Sequence, residues 1–175
     1  MRLDGKVAIV TASTRGIGLA CTQRLAREGA TVYMAARNME RAENRAKELN
    51  DEGCNVKTVY NDATEKETYT SMVEEVFKNE GRIDILVNNF GTSNPQKDLD
   101  IKNTEYDEYI RTVDINLASV FMTSQAAIPH MAANGGGSII NISSIGGLRP
   151  DISQIAYGTS KAAINYLTKL IATQC

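Results

Sequence analysis

Apolar positions along the chain alternate between two periods. "KVAIVT" (6–11), "ATVYMAA" (30–36), "NVKTVY" (55–60), "RIDILVNN" (82–89) and "GGGSIINIS" (135–143) carry short segments rich in β-branched residues, set off by glycines and polar turns. Such segments predict strands, and the unbroken apolar run in 6–11 predicts one buried on both faces, as in a parallel sheet. Between them apolar side chains recur at helical spacing: Ile17, Ala20, Cys21 and Leu25 before Gly29, Met39, Ala42, Ala46 and Leu49 before Gly53, and Tyr69, Met72, Val73, Val76 and Phe77 before Gly81. Thr64 with Glu67 three residues on predicts a capping box opening the third of these helices. A loop over 90–103 precedes a helical stretch over 105–133, near twice the usual helix length, whose regular part Pro129 is expected to end early. A last helix starts at about Gln154, with Tyr157, Ile164, Leu167, Leu170 and Ile171 among its side chains. Fivefold alternation of strand and helix predicts an α/β fold, a doubly wound parallel sheet of Rossmann type, as one domain over 1–175. Sheets of this kind usually continue, whereas the sequence stops at "TKLIATQC" with no further strand, so the C-terminal part of the domain is expected to be missing.

Composition narrows the partners. With 42% hydrophobic and 23% charged residues and a net charge of −2, the chain offers no electrostatic reason to bind nucleic acid or an acidic membrane. Cys21, Cys54 and Cys175 are widely spaced and form no CxxC pair, which predicts reduced thiols in a cytoplasm and neither a disulfide framework nor a metal site. Neither a signal peptide nor a run of about 18 apolar residues is present, so a cytoplasmic location is expected.

"VTASTRGIG" (10–18) follows the first strand and opens the first helix, the setting in which a glycine-bearing turn receives a dinucleotide pyrophosphate. Gly16 allows backbone to approach phosphate and Gly18 allows close packing of helix on strand, while Ala12 stands where a first glycine is expected. Its methyl group is tolerable provided the backbone keeps φ negative. The end of the second strand reads "MAARN", with Ala36 where an NAD-binding chain places a carboxylate for the ribose hydroxyl. Arg37 there and Arg15 in the turn suit a 2′-phosphate, which a guanidinium grips with paired charge-assisted bonds, so NADP is the expected cofactor. Each arginine alone would read as a solvated surface residue.

"AYGTSK" (156–161) places Tyr157 and Lys161 four apart, on one face of a helix. A phenol with a pKa of about 10 carries protons poorly near neutrality, and a lysine cation beside it favours the phenolate. "NISS" brings Ser143 and Ser144 to the carboxyl edge of the sheet, where open α/β sheets bind ligands. Together with the turn, these residues make the chain resemble the short-chain dehydrogenase/reductase family, from "TASTRGIG" through "NNFG" to "YGTSK". The resemblance implies Tyr157 as general acid/base and Lys161 as the group that lowers its pKa and binds the nicotinamide ribose. It implies Ser144 as the residue orienting the substrate oxygen, thirteen residues before Tyr157, and Asn116 of "DINL" as the anchor of a proton-relay water. The cofactor residues it implies are Ala12, Ser13, Thr14, Arg15, Gly16, Ile17 and Gly18 in the turn, Arg37 and Asn38 after the second strand, Asp62 and Ala63 after the third, and Asn89, Tyr157 and Lys161. Family members usually pair two helices between subunits, so a homo-oligomer, a tetramer, is implied.

The chain departs from the family pattern at Ala12 and at Phe90, which replaces the alanine of NNAG and could narrow the pocket or meet an apolar substrate. Within the family, "VYMAARN", "ETYTSMVEE", "EGRIDILVNNFG", "AAIPHMAANGGGSIINISSIG" and "PDISQIAY" are most similar to NADP-dependent 7α-hydroxysteroid dehydrogenases. That likeness implies oxidation of the 7α-hydroxyl of a bile acid to a ketone. The residues by themselves reach only an alcohol/carbonyl oxidoreductase, with Phe90, Val120 to Met122 and Ile145 to Pro150 as pocket candidates. Alternatives are a reductase of another carbonyl substrate and a shortened nucleotide-binding chain without turnover. His130 reads as a surface or capping residue, Tyr106 and Tyr109 as helix packing, and the mixed charges over 40–52 as a solvated helix face.

Overall fold

The computed structural model describes residues 1–175, which divide into two compact units, Met1–Asn89 with Met122–Ile140, and Phe90–Phe121 with Asn141–Cys175. In the first unit the chain runs β1 (Val7–Thr11), α1 (Gly16–Arg27), β2 (Thr31–Ala36), α2 (Met39–Asp51), β3 (Asn55–Tyr60), α3 (Glu67–Glu80) and β4 (Ile85–Asn88). It also holds the end of α4 (Tyr106–Ala133) and most of β5 (Ser138–Asn141). The five strands lie in the order β3-β2-β1-β4-β5. β1 pairs in parallel with β2, Val7 opposite Thr31, and with β4, Ala8 opposite Ile85, while β2 pairs in parallel with β3. The fold is the doubly wound Rossmann type. Strand order reverses direction between β1 and β4, and ligands of such sheets bind at the carboxyl ends beside that switch.

β1 is buried along its whole length because it is central, which is why its sequence is a continuous apolar run. Ile9, Tyr33, Val59, Met72, Val73, Ile83 and Leu86 form one cluster between sheet and helices. At the start of β1, Asp84 accepts from the Val7 N–H (2.9 Å), from Lys6 Nζ (3.0 Å) and from Arg82 Nε (2.8 Å) and Nη2 (2.6 Å). These bonds, with the Arg82 guanidinium first among them, hold the Asp84 carboxyl far below the ordinary carboxylate range.

Several local expectations change. On α1 the buried residues are Gly18, Thr22 and Ala26, while Ile17 is 62% exposed. Small residues at that spacing let α1 sit close on the sheet, and the larger apolar side chains are left at the rim. Thr64 does not cap α3. Its N–H and hydroxyl both donate to Asp62 Oδ1 (2.9 Å each), and α3 opens at Glu67 behind Lys66 with no side-chain cap. α4 continues through Pro129 to Ala133 instead of ending early. Proline removes one i→i−4 bond, and both Pro129 and Gln125, whose carbonyl loses that partner, are exposed, so water can serve the carbonyl. His130 is not a bare surface residue: it stacks on Phe77 with centroids 3.9 Å apart and meets Glu74 through Nε2 at 2.9 Å.

The second unit contains the loop after Asn89, α4 through Phe121, a single 3-10 turn at Ile145–Gly147 and α5 (Ile155–Gln174). A Cβ on Gly147 would lie 2.6 Å from the Lys161 carbonyl carbon, so the 3-10 turn packs directly on the backbone of α5. α5 buries Ala156, Ser160, Lys161 and Ile164, whereas Tyr106 at the start of α4 is 73% exposed and does not pack. No helix is long and apolar enough to cross a membrane.

Candidate active site

In the first unit the turn after β1 is held by Asn89. Its N–H donates to Thr11 Oγ1 (2.9 Å), and its Nδ2 donates to the carbonyls of Thr11 (3.2 Å) and Ala12 (3.1 Å). Gly18 sits against this arrangement: a Cβ there would lie 2.5 Å from Asn89 Nδ2 and 2.6 Å from the Ala12 carbonyl oxygen. Glycine is required by contact at Gly18. At Gly16 it is favoured by conformation alone: φ is 55°, while a built Cβ would meet no atom within 4 Å. The condition set on Ala12 fails, since its φ is 50°, in the left-handed region, so an exposed alanine occupies a glycine conformation.

The first turn of α1 carries no acidic residue to offset its positive end, and Arg15 stands extended and exposed before it. Ser13 is fully buried, and its hydroxyl has no hydrogen-bond partner. An orphaned hydroxyl beneath the turn, a glycine that no side chain can replace and an uncompensated helix N-terminus fit a pyrophosphate. Thr14 and Ile17 lie along the same turn, half-buried and exposed respectively.

At the end of β2, Arg37 is largely exposed, and Asn38 caps α2 by accepting from the Arg41 N–H (2.8 Å). Arg37 Nε lies 3.8 Å from Asp62 Oδ2. Asp62 is 8% exposed, its other oxygen engaged by Thr64, with Ala63 half-buried beside it. The structure therefore brings together Arg37 and Asp62, two of the residues expected at an adenosine end.

The remaining candidates belong to the second unit. Ser144 and Tyr157 line one open cleft of about 440 Å³, together with all of Ile145 to Pro150. Phe90 and Val120 to Met122 do not line it, and Val120 is 1% exposed. Ser144 Oγ accepts from the Gly146 N–H (3.2 Å), which leaves its own proton to donate. Ser143 instead donates its proton to the Lys161 carbonyl (3.0 Å). The two serines are thus distinguished by geometry, one turned to structure and one to the cleft.

Lys161 is 2% exposed, with Nζ donating to the Ile142 carbonyl (2.9 Å) and lying 5.6 Å from the centroid of the Tyr157 ring. Burial pushes its ammonium below the ordinary lysine range. Gly91 makes room for it, since a Cβ there would stand 2.8 Å from Nζ. Asn116 is completely buried on α4. Its Nδ2 donates to the Thr92 carbonyl and to Ser160 Oγ (2.9 Å each), and its Oδ1 accepts from the Thr92 N–H (2.9 Å). Both amide protons are spent on the loop and on α5, so the side chain works as a clamp with one lone pair to spare.

Sequence reasoning did not find Gly91, Thr92, Ser160 or Asp98, which hold these groups in place. Only Asp98 left a trace: α5 begins behind Gln154, a poor capping residue, so its first amides needed a partner from elsewhere.

The family model for short chain dehydrogenases matches residues 6–175. The chain is 55% identical over 173 residues to the 7α-hydroxysteroid dehydrogenase of Clostridium sardiniense, with 99% of this chain and 66% of that protein covered. It is 49% identical over 173 residues to the 7α-hydroxysteroid dehydrogenase of Paraclostridium sordellii, covering 99% of this chain and 65% of the relative. Among solved structures, a gluconate 5-dehydrogenase from Burkholderia cenocepacia J2315 in complex with NADP and tartrate superposes with a TM-score of 0.91 at 35% identity, covering 99% of this chain and 67% of that one. The chain spans about two thirds of the length of these relatives.

Proposed function

The chain belongs to the short chain dehydrogenase family, whose members use a nicotinamide cofactor, and from that premise we propose that it is an NADP-preferring oxidoreductase converting the 7α-hydroxyl of a bile acid to a ketone. The observation that carries the chemistry is the cleft that Ser144 and Tyr157 share, with Lys161 buried against the Tyr157 ring. The identity to two 7α-hydroxysteroid dehydrogenases supports the substrate.

When bound, the nicotinamide supplies the acceptor for the hydride that leaves the alcohol carbon. Tyr157 Oη takes the alcohol proton in that direction and returns it to the carbonyl oxygen in the other. The Lys161 ammonium places positive charge where the phenolate carries negative charge, in a setting of low dielectric. Ser144 Oγ donates to the substrate oxygen, with one of its two lone pairs engaged by the Gly146 N–H. Asn116 holds Thr92, the neighbour of Gly91, and Ser160, the neighbour of Lys161, and so ties the loop to α5 where Lys161 is buried.

Preference for NADP rests on Ala36, which offers no carboxylate to a ribose hydroxyl, and on Arg15 and Arg37, whose guanidiniums would grip a 2′-phosphate. Exposed apolar side chains on α4 (Ile110, Phe121) and α5 (Tyr166, Leu170) support a homo-oligomer in which such faces are covered. The test combines binding with turnover. Arg37→Asp is expected to weaken NADPH binding tenfold or more and NADH binding little. NADP⁺-dependent oxidation is expected for a 7α-hydroxy bile acid and not for its 7β epimer, with Tyr157→Phe slower by about 10²–10⁴. Retained NADPH affinity in Arg37→Asp would exclude the cofactor assignment, and equal turnover of both epimers would exclude the substrate.

A further inference from the structure

Asp98 lies in the loop before α4 and is completely buried. Its Oδ1 accepts from the Ala156 N–H (2.8 Å), and its Oδ2 accepts from the Tyr157 N–H (3.0 Å) and from Ser93 Oγ (3.0 Å). Ala156 and Tyr157 are the second and third residues of α5, whose orphan amides a side chain at the N-cap normally satisfies. Here the N-cap is Gln154, in a left-handed conformation (φ 60°, ψ 49°) and without a side-chain bond to the helix. The first amide, Ile155 N–H, also turns to the loop, donating to the Leu99 carbonyl (3.1 Å). All three leading amides of the helix that carries Tyr157 and Lys161 are therefore answered by residues more than fifty positions earlier. The carboxylate also sets a negative charge against the positive end of α5.

We propose that Asp98 is a positioning residue that fixes the backbone of Tyr157, and with it the place of the phenol in the cleft, by capping α5 from a distant loop. This rests on the reading of Tyr157 as the proton carrier. A carboxylate is the side chain that suits the task, because it accepts at both oxygens. Asparagine offers one acceptor and turns an N–H toward another N–H.

The experiment uses the whole chain without ligand, labelled for amide exchange and with ¹³C in the tyrosine rings, and compares Asp98→Asn and Asp98→Ala with the parent. The Tyr157 ring signal is assigned by its loss in Tyr157→Phe. Exchange at the Ala156 and Tyr157 amides is expected to accelerate on the order of tenfold or more in Asp98→Ala and less in Asp98→Asn, which keeps one acceptor. The Tyr157 ring signal is expected to move toward that of free tyrosine in the same order, while the signal of Tyr69, buried in the other unit, stays fixed. If Asp98→Ala does not fold, Asp98→Asn carries the comparison. Unchanged exchange at both amides with an unmoved Tyr157 signal would overturn the proposal. So would acceleration spread equally to Ile164 and beyond, because Asp98 would then hold the helix as a whole. A failure of the functional reading is separate: it would show as turnover retained by Tyr157→Phe, whatever the spectra of the Asp98 variants.

Discussion

Replacing Ala12 with glycine should stabilise the chain, although it removes a side chain and adds none. At φ 50° the Ala12 Cβ crowds the following carbonyl, which costs an L-residue about 1–2 kcal/mol relative to the right-handed conformation. Glycine is free of that cost but loses more freedom on folding, which takes back about 0.4–1 kcal/mol. The methyl group is exposed, so no core packing is forfeited. The difference is a gain of about 0.5–1 kcal/mol, or roughly 1–4 °C in melting midpoint for a chain of this size. Gly16→Ala supplies the mirror experiment, since φ there is 55° and a Cβ would meet no atom within 4 Å. It should lose about what Ala12→Gly gains, with no steric clash to confuse the result. Thermal and urea unfolding of the two variants and the parent would read both. A midpoint for Ala12→Gly equal to or below that of the parent would refute the argument, and the refutation would be sharpest if Gly16→Ala were also neutral.

Two further substitutions test the supports of the site. Gly91→Ala places a Cβ against the end of the Lys161 side chain, so it should leave the melting midpoint within about 2 °C, as flexible contacts allow, yet slow turnover at least tenfold by moving Nζ from its place beside Tyr157; unaltered turnover would show that the position of Nζ does not matter. Asp84→Ala should cost about 2–3 kcal/mol near neutrality by removing charge-assisted bonds at the start of β1. Because the folded carboxyl lies below its unfolded value of about 3.9, its contribution is complete above that pH and shrinks as pH falls further, so the gap between parent and variant should narrow only below about pH 4. A gap already closing at pH 6, or one unchanged down to pH 2, would refute the assignment.

The strands and most helices were legible because burial writes itself into composition. β1 is central and reads as an unbroken apolar run, and α3 shows its buried Tyr69, Met72, Val73 and Val76 at helical spacing. Features that depend on which partner a polar group chooses were not legible. Thr64 had an equally good local bond to Asp62, and taking it removed the expected capping box. α4 carries Pro129 with the deprived Gln125 at the exposed surface, and exposure is a tertiary property. The buried face of α1 is hidden from apolar spacing for a related reason: close approach to the sheet selects small residues, so Gly18, Thr22 and Ala26 are buried while bulkier Ile17 is not.

The residues of the site divide along the same line. Tyr157, Lys161 and Ser144 carry reactive groups, and their types and spacing suggest chemistry without any knowledge of contacts. Asn116, Gly91 and Asp98 are not assigned a part in the reaction, and each matters through what it touches: a loop carbonyl, an ammonium, two helix amides. Asn116 has meaning in the sequence only through the family likeness, because nothing in "DINL" shows that its amide will close on Thr92 and Ser160. Asp98 lies 58 residues from one of the amides it caps, and no window of local sequence contains both. The local sign that does exist is negative, a helix with Gln154 where a capping side chain belongs. A helix that bears reactive side chains in its first two turns and has no cap of its own must receive one from elsewhere, or those side chains would fray with its end. Searching such chains for a buried carboxylate before the preceding helix would therefore recover a class of positioning residue that motif spacing passes over.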